Sequence, residues 1–228
     1  MMNELRILVA GVLSDKVLPA LEKYDDEIIV WDLTQGKIKV DFLKAEKINF
    51  IISSGYSYIF PASVIEHCPI VNLHPSFLPW NRGPFPNFWS WLTDSPKGVT
   101  VHYIDAGIDT GDIIAQKKLD SLHDGMTLHQ TNWATIEAVV ELFIETWPLI
   151  REGKNQRYPQ LGQGSYHTFK DIIPFQDVLI NSSPDTPIRE LCQAIRAKVD
   201  IDQIVEIRSQ ADFWIRHLER QSRARRNR

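Results

Sequence analysis

Four short apolar runs open this chain, and the segments between them decide what it can fold into. Ile7 to Gly11, Glu27 to Trp31, Asn49 to Ser53 and Ile70 to Leu73 read as strands. Lys16 to Lys23, Val40 to Glu46 and Pro61 to His67 read as short helices between them. This alternation predicts an α/β fold: a mostly parallel, doubly wound, Rossmann-like sheet with crossover helices. Ligands in such sheets sit beyond the carboxyl ends of the strands. The opening strand runs into Gly11-Val12-Leu13-Ser14 and not into G-x-G-x-x-G, so the dinucleotide fingerprint is missing.

Further along, Asn87 to Thr93 reads as a helix packed by Phe88, Trp89 and Trp91, and Val99 to Ile104 and Ile113 to Lys118 as two more strands. Thr127 to Ile150 is the clearest helix, with Leu128, Thr135, Ile136, Val139, Leu142 and Phe143 on one face, which places it against the sheet. Pro148 kinks or closes its last turn. Gly153-Lys154-Asn155 begins a second region, in which Tyr158 to Gln160 and Gln163 to His167 look like a hairpin-like excursion. Pro187 to Lys198 and Asp202 to Arg220 read as helices. The expected division is a catalytic domain over residues 1–154 and a smaller C-terminal subdomain over 155–228. The apolar stripe of the last helix would be covered by the chain's own core or by a second copy, as in a homodimer.

A net charge of −4 over 228 residues gives no general attraction to nucleic acid. The run Arg220, Arg223, Arg225, Arg226 and Arg228 reads as a solvated terminus, with contact to an anionic partner as the alternative. Cys68 and Cys192 stand in unrelated contexts, as reduced core thiols of a cytoplasmic protein would. No signal-peptide layout and no apolar run near the roughly 20 residues of a membrane span occurs, so a cytoplasmic protein with no membrane partner is expected. His67, His102, His123, His129, His167 and His217 have no spacing that suggests a shared metal, and no metal is expected.

The chemistry concentrates in two segments. Asn72-Leu73-His74-Pro75-Ser76 ends the fourth apolar run, and Asn72 and His74, two apart on a strand, address one face. Gly107-Ile108-Asp109-Thr110-Gly111-Asp112 supplies a carboxylate in a Gly-bracketed turn of the kind that lets a ligand approach closely. An amide donor, an imidazole and a carboxylate are what acyl transfer to an amine requires.

With Leu78-Pro79-Trp80-Asn81-Arg82-Gly83 after it, this pattern resembles the folate-dependent formyltransferases, over roughly Leu5 to Ala197. Trp80 to Asn87 and Gly164-Ser165-Tyr166-His167 look most like the sugar-nucleotide N-formyltransferases. The resemblance implies transfer of a formyl group from N10-formyltetrahydrofolate to the amine of a nucleotide-linked amino sugar, with dTDP as the default nucleotide and surface polysaccharide or O-antigen as the product's destination. It implies Asn72, His74 and Asp109 as catalytic residues, Asp109 being chosen over Asp105 and Asp112 by its place in Ile108-Asp109-Thr110-Gly111. It assigns Tyr58, Ile59, Phe60, Ile104, Asp105, Gly107 and Asp109 to the folate pocket. Trp80, Asn81, Arg82, Asn87 and Tyr166 go to the acceptor, with Arg82 as the fork for a diphosphate and Trp80 or Tyr166 stacking on base or sugar. The rivals are formyl transfer to glycinamide ribonucleotide, hydrolysis of formylfolate, and a non-catalytic folate- or nucleotide-binding module.

Overall fold

The computed structural model describes residues 4–198; the helix expected over Asp202 to Arg220 and the arginine tail lie outside the described residues. Strands β1 (Arg6–Ala10), β2 (Glu27–Trp31), β3 (Phe50–Ser53) and β4 (Ile70–His74) pair in parallel, and β5 (Gly98–Tyr103) and β6 (Ile113–Lys118) continue the sheet antiparallel, in the order β2-β1-β3-β4-β5-β6. Each expected strand falls within one residue of an observed one, because buried parallel strands leave unbroken apolar runs.

Side-chain alternation along the strands builds a core on each face. Ile7, Val9, Phe50, Ile52, Val71 and Leu73 pack against α1 (Ser14–Leu21) and α5 (Leu128–Arg151). Leu8, Ala10, Ile51 and Ile70 pack against α2 (Val40–Ala45) and α3 (Ala62–Ile65). Each such buried aliphatic contributes roughly 1.5–3 kcal/mol relative to exposure. Helix α5 starts at a capping box, Thr127 Oγ1 accepting from Gln130 N–H and Gln130 Oε1 from Thr127 N–H. Pro148 lies in the last turn before the helix stops at Arg151.

A third core joins α4 (Pro86–Leu92) to the C-terminal segment. Phe88, Trp89 and Leu92 pack with Phe175, with Val178 of α6 (Gln176–Asn181), and with Ile188, Leu191, Cys192 and Ile195 of α7 (Ile188–Arg196). The hairpin expected near residues 158–167 does not form. Tyr158 instead exchanges backbone hydrogen bonds with Ile113 at 2.8 and 2.9 Å, and the stretch at Ser165 to His167 bonds to both sides of Arg82. Both halves of the expected hairpin spend their backbone groups on the sheet and on the loop after β4, not on each other.

The reversal of direction at β5 positions the site. Because β5 runs antiparallel to β4, Asn72 pairs with His102 and His74 with Thr100. A bulge in β6 follows, where Val101 pairs with Ala115 but His102 with Ile113.

Candidate active site

Asn72 and His74 lie on the sheet face opposite Val71 and Leu73. The loop beyond them is held by the next two strands. Thr100 Oγ1 donates to Ser76 O at 2.7 Å and accepts from Leu78 N–H at 3.1 Å, while Gln116 Nε2 donates to Leu78 O at 2.7 Å. The loop's return carries Asn81 O to His74 Nε2 at 3.1 Å and Gly83 N–H to Asp109 Oδ2 at 2.8 Å.

Asp109 arrives from the turn between β5 and β6 with φ 51°, a left-handed conformation that Asp tolerates better than most residues. The bracketing glycines are also required by the turn's own packing. A Cβ on Gly107 would meet Thr110 Oγ1 at 2.0 Å, and one on Gly111 would meet Tyr103 O at 2.0 Å. Asp105, the neighbouring carboxylate, builds the turn by accepting from Gly107 N–H and Thr110 Oγ1.

The result is a tight cluster: His74 Nδ1 lies 3.6 Å from Asp109 Oδ2, and His102 Nε2 lies 3.7 Å from Asp109 Oδ1. A ring nitrogen facing a carbonyl oxygen carries the proton, which fixes both tautomers. His74 is protonated at Nε2, toward Asn81 O, and His102 at Nδ1, 2.8 Å from Tyr103 O. The lone pairs of His74 Nδ1 and His102 Nε2 therefore both point at the carboxylate. Asn72 Nδ2 donates to His102 Nε2 at 3.1 Å, which orients the amide.

Burial opposes a charge on Asp109, but His74, His102, the Gly83 N–H and Arg82 outweigh it and hold the carboxyl below its ordinary value. His102 is fully buried, and that burial pushes its imidazole down to about 4 despite the carboxylate beside it. His102 is thus neutral at physiological pH, the form that can accept from Asn72. A consequence for stability follows from the sign of this shift. Between its ordinary 6.5 and about 4 the unfolded chain takes up a proton that the folded chain refuses, so stability falls as the pH drops through that window. Melting temperatures measured across it should decline, and His102→Gln should flatten the decline; a slope unchanged in the variant would remove His102 as its cause.

The other expected site residues divide into two groups. Tyr58, Ile59, Phe60, Ile104, Asp105, Gly107 and Asp109 all line one cavity of about 360 Å³, together with Asn72 and His74. Tyr166, expected on the acceptor, lines this same cavity beside Phe169 and Thr168.

Asn81 and Arg82 are not in that cavity. Asn81 is 0% exposed, donates to Ser95 Oγ at 2.7 Å and is held by Ser165. Arg82 is 6% exposed; its Nε and Nη2 donate to Gln160 Oε1 at 3.1 and 2.8 Å, and its Nη1 to Gln163 O at 3.4 Å. The guanidinium fork expected to meet a diphosphate meets an amide and a carbonyl of the same chain, because residues 158–167 fold over it. Trp80 is half-exposed on the loop and lines neither cavity. Asn87 lines a second cavity, of about 520 Å³, with Phe85, Pro86, Leu128, His129 and Asn132.

Gln160 and His102 were missed in the sequence. Gln160 Nε2 donates to Asp109 O at 2.8 Å and Gly111 O at 2.9 Å while Oε1 holds Arg82, so one amide ties the Asp109 turn to the loop after β4. Gln160→Ala should lower turnover by about 10- to 100-fold through misplacement of the carboxylate. Glu at this position, keeping the Arg82 contact but losing both donors, separates the two halves of the role. Turnover unaffected in both variants would show that the tie is dispensable.

Residues 35–146 match the family described as Formyl transferase. Among solved structures, the chain is 40% identical to the formyltransferase PseJ from Anoxybacillus kamchatkensis, with a TM-score of 0.73, over 81% of this chain and 96% of that one. The chain belongs to the formyltransferase family. The PseJ structure is a complex with UDP-4,6-dideoxy-4-formamido-L-AltNAc and tetrahydrofolate. A curated relative, the dTDP-4-amino-4,6-dideoxyglucose formyltransferase of Mycobacterium bovis, is 31% identical over 138 residues, which make up 60% of this chain and 58% of the relative's own length. A 4-N formyltransferase from Francisella tularensis shares the formyltransferase fold at 20% identity and a TM-score of 0.67, over 82% and 84% of the two chains. No helix among the described residues is long and apolar enough to cross a membrane.

Proposed function

We propose that this formyltransferase-family protein transfers a formyl group from N10-formyltetrahydrofolate to the amine of a nucleotide-linked 4-amino-4,6-dideoxyhexose. One observation carries the reading: a single cavity joins Asn72, His74 and Asp109 to the Tyr56–Phe60 and Ile104–Gly107 walls.

The residues of that cavity fit a pterin. Tyr56 and Phe60 pack at 4.8 Å between ring centroids and form an apolar wall with Ile65 and Ile104. Ser57 to Phe60 make no backbone hydrogen bond to the other described residues, which leaves a row of main-chain donors and acceptors for a heterocycle's edge.

The bound folate supplies a formyl carbon activated for attack by an amine. Asn72, with one amide hydrogen committed to His102, has its second available for the formyl oxygen as charge gathers there. Such a donor is worth about 10²–10³ in rate. His74 Nδ1 carries the lone pair that takes the amine's proton, Asp109 steadies the imidazolium so formed, and that proton passes to the folate N10 as its bond to the formyl carbon breaks. Gly83 N–H and Gln160 keep Asp109 from turning away.

For the acceptor, the cavity at Asn87 is the better place than the Arg82 loop. Pro86 lines both cavities, so the two adjoin at the start of α4. A 4-amino group is the shared feature of the acceptors or products named for PseJ and for the mycobacterial relative, which differ in their nucleotide.

The test is to supply formylfolate with UDP- and dTDP-linked 4-amino-4,6-dideoxyhexoses, a 3-amino analogue and glycinamide ribonucleotide, and to follow tetrahydrofolate release. Release dependent on a 4-amino sugar nucleotide is expected. Release without an acceptor would make the protein a hydrolase, release with glycinamide ribonucleotide alone would move it to that reaction, and folate binding without release would leave a binding module.

A further inference from the structure

Three lone-pair donors converge at the end of β4 without a proton between them. His74, His102 and Asp109 each offer one ligand atom, and these atoms lie within 4.8 Å of one another. The backbone carbonyls of Asn81 and Tyr103 hold the far nitrogens of the two rings as donors, the arrangement that orients metal-bound imidazoles. Asp109 is likewise braced, by Gly83 N–H on Oδ2. Ligands about 2.0–2.2 Å from a tetrahedral zinc stand roughly 3.2–3.6 Å apart. The two histidine–carboxylate separations, 3.6 and 3.7 Å, are close to that but run to different oxygens of Asp109, so the carboxylate has to rotate to bring one oxygen to both rings.

We propose that this cluster is an inhibitory site for a divalent transition cation of the Zn²⁺ type. His74 Nδ1, His102 Nε2 and an Asp109 oxygen are the three protein ligands, and the fourth position opens to the cavity that Asn72, His74 and Asp109 line. Two imidazoles and one carboxylate suit Zn²⁺ and Co²⁺ over Mg²⁺ or Ca²⁺, which prefer all-oxygen shells. The ion takes the lone pair on which His74 accepts a proton. It also takes the one on His102 that orients Asn72, whose amide has to swing aside. Inhibition rests on the function proposed above; binding does not. The spacing 74, 102, 109 gives no hint of this in the sequence, because β5 must reverse beside β4 before the three meet.

The experiment uses the full chain without an affinity tag, freed of metal by chelation. Co²⁺ is titrated while visible d–d absorption is followed, and Zn²⁺ is used to displace it. One equivalent of tetrahedral Co²⁺ is expected in the wild type. Affinity should fall at least about 10-fold in both His102→Gln and Asp109→Asn and stay unchanged in His129→Gln, an exposed control. Circular dichroism and melting temperature establish that the variants fold, and the two ligand variants guard against loss of either one. Zn²⁺ should also abolish formyl transfer, with recovery on adding a chelator. Absence of tetrahedral bands in the wild type, or equal binding by the wild type and a folded ligand variant, overturns the site. Binding with no formyl transfer to any acceptor would leave the site standing and sink the function.

Discussion

His74→Ala should lower turnover by about 10²-fold or more while folate binding stays within a few-fold of the wild type. The ring meets Asp109 through Nδ1 and is anchored at Nε2 to Asn81 O. Losing it removes the group proposed above to take the amine's proton, an effect on the scale of general acid–base catalysis. The cavity wall proposed for folate is built from Tyr56 to Phe60 and Ile104 to Gly107, and the substitution leaves it intact. The main complication is structural, since Asn81 O would keep only a long contact from Ser76 Oγ at 3.5 Å. An unsatisfied buried acceptor costs about 1–3 kcal/mol. His74→Gln, whose amide can still donate to Asn81 O, controls for this. If both variants turn over near the wild-type rate, His74 is not catalytic; if only Ala fails, its role is to hold the loop.

What could be read from the residues alone follows from the range of the interactions involved. The strands were legible because burial on both faces leaves continuous apolar runs, and Asn72 and His74 because the period of a strand puts them on one face. Asp109 was selected by its motif, and its carboxylate does lie against His74. His102 was not legible: within Val99 to Tyr103 it looks like one polar residue in an alternating strand, and its partner is 30 residues away in an antiparallel register. Arg82 illustrates the opposite difficulty. A guanidinium fork can meet a diphosphate or a Gln side-chain oxygen, and only the path of residues 158–167 decides between them. That path is itself set by isolated pairings at Ile113 and Arg82, with no periodicity to announce them.

Asp109→Asn tests the charge without removing the shape. The amide oxygen can still accept from Gly83 N–H, and the backbone contacts from Gln160 to Asp109 O and Gly111 O do not involve the side chain. The turn should therefore survive, and the melting temperature above the carboxylate range should change little. Turnover should fall by about 10²-fold or more, because an imidazolium at His74 would face a neutral dipole in place of a carboxylate that stays ionised despite its burial. In the wild type an acid limb should appear only where the pH falls low enough to protonate Asp109, whose carboxyl lies below its ordinary value, and the variant should lack that limb. Asp112, which meets β5 through its carbonyl oxygen on Tyr103 N–H, is the matched control, and Asp112→Asn should leave turnover and profile in place. The reverse pattern, with Asp112→Asn damaging and Asp109→Asn harmless, would mean that the carboxylate beside His74 is not the one that works.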